Sequence, residues 1–227
     1  MNNANFLHSV ALFSHLSPSQ LEPVAEKLRR RTFQKGKVIF HQDDPGDRLH
    51  FLEEGMVKIS LVSRDGREND IVLLTPGDCF GEMSVLDGGT RSATAVAMEP
   101  TETLTLSREE FLEFLNSNSV VAIQIIRLLV KRLRAMDEMI GDVVFLDVPT
   151  RVAKKLLELS HTYGDNRTPA GNQTIPIGQE ELSRLVGSSR ETVSRALTSY
   201  RRMGLLTTSH RRITLTDLAG LEKMADN

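Results

Sequence analysis

Between Val186 and Arg195 the chain reads Val186-Gly187-Ser188-Ser189-Arg190-Glu191-Thr192-Val193-Ser194-Arg195. This is a glycine turn followed by hydroxyls, two guanidiniums and a carboxylate. An arginine donates two hydrogen bonds to guanine O6 and N7, and a glutamate accepts one from cytosine N4. A helix capped by Ser188 or Ser189 puts Arg190, Glu191, Ser194 and Arg195 on its outer face and Val193, Ala196 and Leu197 on its inner one. Base-reading residues sit toward the start of a recognition helix, where Arg190 and Glu191 fall, and Ser189 and Thr192 are placed to meet phosphates. Such a helix needs a support. The run Gln179–Val186 supplies one, with Leu182, Leu185 and Val186 facing inward and Gly187 able to take the left-handed conformation of a tight turn. Leu205–Thr208, the turn His210-Arg211-Arg212 and Ile213–Leu215 read as a β-hairpin wing, with Arg211 and Arg212 at a basic tip. A charged helix-turn-helix alone fits a solvated surface better than a DNA reader. The turn, the residue set and the wing together point to double-stranded DNA.

The preceding elements must carry this reading head. Residues 6–30 read as one or two short helices, the second opened by Ser17-Pro18. From Thr32 to Leu106, short apolar runs alternate with turn signals such as Lys35-Gly36, Glu54-Gly55 and Pro76-Gly77-Asp78. Asp65-Gly66 lies between two apolar runs as a hairpin signal. That spacing predicts a small antiparallel barrel or jelly roll. Ser107 and Glu110 form a capping box for a helix to about Leu115. A long helix follows, from about Ser119 to Leu146. Its Ile126, Leu129, Leu133, Met136, Ile140 and Val143 recur at spacings of 3, 4, 3, 4 and 3, an a/d seam suited to pairing with a second copy. Val121, Ile125, Leu128 and Val144 lie on a neighbouring face that would suit packing against the barrel. Pro149 is expected to end this helix and mark a hinge, residues 150–163 to form another helix, and Asp165–Asn172 a surface loop. The expected fold class is α+β: a sensor domain at 1–118, a dimerisation helix and hinge at 119–148, and a winged helix-turn-helix at 149–227.

Composition excludes several function classes. The 227 residues are 40% hydrophobic and 26% charged, with a net charge of −2. From Pro149 onward there are 12 Lys/Arg against 8 Asp/Glu, and before it 16 against 22, so the expected DNA-binding end is the basic one. No apolar run reaches the ~20 residues of a membrane span, and no secretory signal opens the chain, so the expected compartment is the cytoplasm without membrane contact. A single cysteine, Cys79, holds no iron–sulfur cluster, and six scattered histidines give no zinc pair, so no metal is expected. No Walker A motif, kinase loop or nucleophile–base set is present, so the chain is not expected to be an enzyme.

The Val186–Arg195 run closely resembles the helix-turn-helix of the cyclic-AMP receptor protein/FNR family of bacterial transcription regulators. Phe145-Leu146-Asp147-Val148 resembles the family's hinge, with Arg151-Val152-Ala153 beginning the next helix. The resemblance covers nearly the whole chain in order. It implies a homodimer regulating transcription with RNA polymerase, in which Arg190, Glu191 and Arg195 read TGTGA half-sites of an inverted repeat. Gly77-Asp78-Cys79-Phe80-Gly81-Glu82-Met83-Ser84 and Thr90-Arg91-Ser92-Ala93-Thr94 resemble the family's phosphate-binding cassette. The resemblance implies that Arg91 and Ser92 meet a cyclic phosphate, Gly81 and Ser84 add donors, and Glu82 accepts from the ribose. On spacing alone, a turn with an Arg–Glu surface pair is the better explanation of these residues, and it is the resemblance that favours a phosphate site. Cys79 is a conceivable haem ligand, but it is expected to pack behind the cassette, and no haem is expected. Where the cyclic-AMP branch offers Thr and Ser to adenine, this chain has Met136 and Asp137. Asp137 as an acceptor suits adjacent N1–H and N2–H donors of guanine. Cyclic AMP is the first-choice ligand; cyclic GMP, cyclic di-GMP or no ligand at all remain alternatives, with Asp137 as a plain solvated residue. A reading of another class is a cyclic-nucleotide-binding regulatory subunit of an enzyme.

Overall fold

The computed structural model describes residues 3–163, 173–209 and 212–226. The expected loop Asp165–Asn172 and the wing-tip residues His210 and Arg211 lie outside them. The chain separates into two compact units, Met1–Arg134 and Ala135–Asn227.

In the first unit, α1 (Asn3–Ser9), a 3-10 turn at Ala11–Phe13 and α2 (Pro18–Lys27) precede the sheets. Ser17 and Gln20 close a capping box at the start of α2. The strands are β1 (Arg29–Phe33), β2 (Val38–Phe40), β3 (Arg48–Glu54), β4 (Val57–Val62), β5 (Glu68–Leu74) and β6 (Cys79–Phe80). The short helix α3 (Glu82–Asp87) interrupts them before β7 (Thr94–Ala97) and β8 (Thr101–Ser107). They form two four-stranded antiparallel sheets, β1-β8-β3-β6 and β2-β7-β4-β5, a jelly-roll arrangement. The hairpin at Asp65-Gly66 joins β4 to β5, with Val57 opposite Leu74. The N-terminal helices close one part of the core. Phe13 is fully buried and lies 5.3 Å from Phe51 and 6.0 Å from Phe114, centroid to centroid. Each such ring contributes on the order of 1.5–3 kcal/mol by burial.

Helix α4 (Arg108–Ser117) begins at the predicted cap, where Ser107 Oγ accepts from the Glu110 amide and Glu110 Oε2 from the Ser107 amide. The long helix α5 (Ser119–Phe145) follows, and the boundary between the units falls inside it. Val121 and Ile125 are buried in the first unit's core, with Leu128 and Leu129 packed against it. Val144, assigned to the same face by sequence, is instead 65% exposed. The barrel-facing stripe therefore stops within the first half of the helix. Of the seam, Ile126, Leu133, Met136, Ile140 and Val143 are exposed, an apolar row that the single chain leaves uncovered.

In the second unit, α6 spans Val148–Tyr163. Pro149 thus opens this helix rather than ending the previous one. Its fixed φ and missing amide are tolerated in a first turn, where the donor has no intrahelical partner. Asp147 caps the turn by accepting from the Thr150 amide at 2.8 Å. Next come β9 (Gln173–Ile175), α7 (Gln179–Val186), α8 (Arg190–Arg202), β10 (Leu206–Ser209), β11 (Arg212–Leu215) and α9 (Leu218–Ala225). The expected hairpin is present, but β9 adds a third strand to it, with Ile175 opposite Ile213. β9, three residues long, has no strong local signal; α9 has one that the sequence reading did not use, since Asp217 caps it by accepting from the Gly220 amide at 2.9 Å.

Candidate functional site

Two clusters hold most of the residues singled out by sequence. The first lies where β6, α3 and the turn before β7 meet. Gly81 adopts a left-handed φ of +79° and starts α3. A Cβ there would sit 2.3 Å from Arg91 Nη1, so only glycine lets the guanidinium approach so closely. Arg91 is 4% exposed. Its Nη1 donates to the Gly81 carbonyl and to Ser84 Oγ, both at 2.9 Å, and its Nη2 to the Arg48 carbonyl at 2.7 Å. The Phe40 ring lies 4.2 Å from its Cζ, a cation–π contact. Burial pulls the guanidinium pKa down, while the charges of Asp47, Glu82 and Asp44 oppose that pull. Arg91 Nε is buried without a hydrogen-bond partner. An orphaned cationic donor beside backbone turns fits an anion such as a phosphate.

The other cassette residues divide. Ser84 is buried and engaged by Arg91, so its hydroxyl supports the cation. Ser92 is exposed and donates to Met83 Sδ at 3.3 Å, whereas the neighbouring Arg91 is buried. Glu82 is buried and forms an ion pair with Arg132 of α5, whose second nitrogen donates to the Cys79 carbonyl. Burial is the largest single influence on the Arg132 pKa and acts to lower it, but the Glu82 charge and hydrogen bond together with the charges of Cys79 and Asp78 outweigh it, and the net direction is up. The Arg–Glu pair open to solvent, one reading of the sequence, is not what forms: Glu82 pairs with a different arginine and Arg91 turns inward. Arg132, Phe40 and Gly46 also belong to this cluster, and no motif or spacing in the sequence singles them out. A Cβ on Gly46 would meet Ser84 Oγ at 2.1 Å. Cys79 is buried behind the cassette and its thiol is pushed up to about 12 by desolvation, so it stays a protonated packing group. Met136 and Asp137 are exposed on α5 within the second unit.

The second cluster is α7–α8. Gly187 has φ +65° and ends α7, and Ser189 caps α8 by accepting from the Thr192 amide at 3.2 Å. Leu182, Leu185 and Val186 of α7 and Val193, Ala196 and Leu197 of α8 are all buried, the apolar contact that the spacing predicts. Arg190, Glu191 and Arg195 are exposed together, with Thr192 and Ser194 half-buried between them. Arg195 Nη2 donates to Thr192 Oγ1 at 3.1 Å, which pre-orients its guanidinium. The Glu191 backbone amide and the Ser189 hydroxyl hold the Glu191 carboxyl below the usual range, so it is an ionised acceptor at neutral pH. Arg212, exposed at the start of β11, lines a groove of about 630 Å³ with Arg184, Arg190 and Ser209. Glu181 is buried and accepts from the Gly178 amide, so it caps α7 rather than facing a ligand.

Known families match both clusters. Residues 30–118 match the cyclic nucleotide-binding domain, and residues 150–224 match the Crp-like helix-turn-helix domain. The chain is 32% identical over 219 residues to the CRP-like cAMP-activated global transcriptional regulator of Mycobacterium tuberculosis, covering 96% of this chain and 98% of that protein. It is 37% identical over 214 residues to the cyclic AMP receptor protein of Thermus thermophilus, covering 94% and 96%. Among solved structures it is similar to the c-di-GMP responsive global regulator CLP of Xanthomonas campestris, with a TM-score of 0.75, 26% identity, and coverage of 88% of this chain and 99% of that one. With a nucleotide-binding jelly roll, a long helix and a reading helix in the order of these relatives, the chain belongs to the CRP/FNR family of DNA-binding transcription regulators.

Proposed function

We propose that this regulator is switched by a cyclic nucleotide, with cyclic AMP as first choice, and reads a TGTGA-like inverted repeat as a homodimer. The observation that carries the nucleotide reading is the buried Arg91 guanidinium with its unpartnered Nε, set against left-handed Gly81. A bound nucleotide would supply the phosphate anion that this cation lacks. Arg91 binds and orients it, Gly81 and Ser84 hold Arg91, Ser92 adds a hydroxyl at the mouth, and Glu82 with Arg132 faces the ribose. Met136 and Asp137 contribute base selection. Cyclic AMP is favoured by the cAMP-responsive relatives from Mycobacterium tuberculosis and Thermus thermophilus.

On DNA, Arg190, Glu191 and Arg195 read base edges, while Ser189, Thr192, Ser194, Arg211 and Arg212 contact or support contacts to the backbone. The exposed a/d row of α5 pairs with its copy and sets two recognition helices about one DNA turn, ~34 Å, apart. In this reading residues 1–118 sense, 119–148 pair and relay, and 149–227 bind DNA. The protein works in the cytoplasm with RNA polymerase, and without an enzymatic activity, metal or haem of its own. Among the described residues no single helix is long and apolar enough to cross a membrane.

A second reading is favoured by Asp137, an acceptor where the cyclic-AMP branch has a hydroxyl: a guanine nucleotide, cyclic GMP or cyclic di-GMP, is the ligand. Calorimetric titration with cyclic AMP, cyclic GMP and cyclic di-GMP, each followed by gel shift on the inverted repeat, separates the two. Binding of cyclic AMP with a strengthened shift supports the first reading. Binding of a guanine nucleotide alone makes Asp137 the selecting residue. A shift indifferent to all three overturns nucleotide control.

A further inference from the structure

The buried face of α8 ends in a polar group. Val193, Ala196, Leu197 and Tyr200 recur at helical spacing along it, and all four are buried. Three are aliphatic. The fourth, Tyr200, is 3% exposed and donates its hydroxyl to the Pro149 carbonyl at 2.9 Å. Pro149 lies in the first turn of α6, where several other bonds converge. Asp147 caps this turn through the Thr150 amide. Arg151 Nη1 donates to the carbonyls of Val143 and Leu146 at 3.4 and 3.1 Å, which ties the end of α5 to α6. Lys154 pairs with Asp142 at 2.6 Å across the same corner. All these groups belong to one compact unit, Ala135–Asn227. A continuous set of directional contacts therefore runs from the last turns of α5, through the first turn of α6, to the far end of α8.

We propose that Tyr200 is a positioning residue that pins the recognition helix to the α5–α6 corner and so fixes the half-site separation at which two copies read DNA. The proposal rests on the reading that α5 pairs with its copy and that α8 reads the half-site. Apolar contacts along α8 hold it to the domain but are not directional, so they tolerate rotation and sliding. A hydrogen bond restricts both. Arg190 is ten residues before Tyr200, about 15 Å along the helix, so a small rotation at Tyr200 becomes a displacement at the reading end. Burial, and then the Asp147 charge, push the phenol up to about 12, which keeps Tyr200 a donor across the neutral range.

The test uses the full-length protein and a duplex inverted repeat selected from random DNA by the wild type. Adding or removing one central base pair turns one half-site relative to the other by about 34°. Wild type, held at one separation, should lose about tenfold or more in affinity on that change, while Y200F should lose less than about threefold. Both should bind a single half-site duplex equally and melt at similar temperatures, because Y200F keeps the buried ring. A Y200F protein with wild-type spacing discrimination overturns the role of Tyr200. So does one that loses single half-site affinity in proportion, because the bond would then support the fold generally. A wild type indifferent to spacing overturns the paired-helix reading itself, and the proposal with it.

Discussion

Arg132 on α5 pairs with Glu82 at the start of α3, a carboxylate with a side chain only 3% exposed. The group expected to meet a ribose is thus already neutralised by a cation from the long helix. Removing that cation leaves a buried carboxylate unpaired. Arg132→Leu is expected to lower unfolding free energy by ~1–3 kcal/mol in urea titration. Adding Glu82→Gln to that variant should recover part of the loss, since the uncompensated charge is gone. A double-mutant cycle showing simple additivity would mean the two residues do not interact in solution.

Arg91→Ala should weaken nucleotide binding by roughly ten- to a hundredfold, the worth of a charge-assisted hydrogen bond to phosphate. Sequence alone would expect the fold to be untouched. The structure adds a stability cost, because the Gly81 and Arg48 carbonyls and Ser84 lose their donor. Calorimetry with the nucleotide that binds wild type, alongside thermal melting, measures both effects; unchanged affinity would remove Arg91 from the site.

Gly81→Ala is expected to be costly without removing any side chain. It combines a left-handed φ, unfavourable by ~1–2 kcal/mol, with a Cβ 2.3 Å from the Arg91 guanidinium. Displaced Arg91 should show as reduced nucleotide affinity along with a lower melting temperature. A variant as stable as wild type would contradict the close approach.

His50 makes stability depend on acid pH. It stacks on Phe80 at 4.9 Å, and burial followed by the Arg91 charge lowers its pKa to about 3. The folded state keeps it neutral while the unfolded chain takes up a proton near pH 6.5. Stability from this group is therefore complete above about 6.5 and falls as pH drops toward 3, by ~1.4 kcal/mol per pH unit at most. A His50→Phe variant should show a shallower acid decline in unfolding free energy than wild type. Parallel declines would refute it.

Glu191→Ala should relax base choice at one position of the half-site by ~1–3 kcal/mol. Arg212→Ala should instead weaken binding to all sequences and reduce the salt slope by about one. Gel shifts over a salt series on single-base variants of the half-site distinguish the two. Equal behaviour of the variants would show that one role is misassigned.

Much of this protein is legible in its sequence because the signals are local. The Ser107–Glu110 cap, the Gly187 turn, the Ser189 cap, the Asp65-Gly66 hairpin and the two faces of α8 each depend on residues within a turn or two. Backbone sterics and helical period act on that scale, and the structure agrees at each point. The helical period of α5 was equally legible, but not where its barrel contact stops, which left Val144 misplaced. Tertiary structure alone decided the partners. Arg132 meets Glu82 across 50 residues, Tyr200 meets Pro149 across 51, and β9 joins the wing through Ile175 and Ile213. It also turned Arg91 inward and Ser92 outward from adjacent positions. A buried charge or hydroxyl takes whichever partner strand order and helix packing bring within hydrogen-bond reach, and spacing along the chain does not encode that distance.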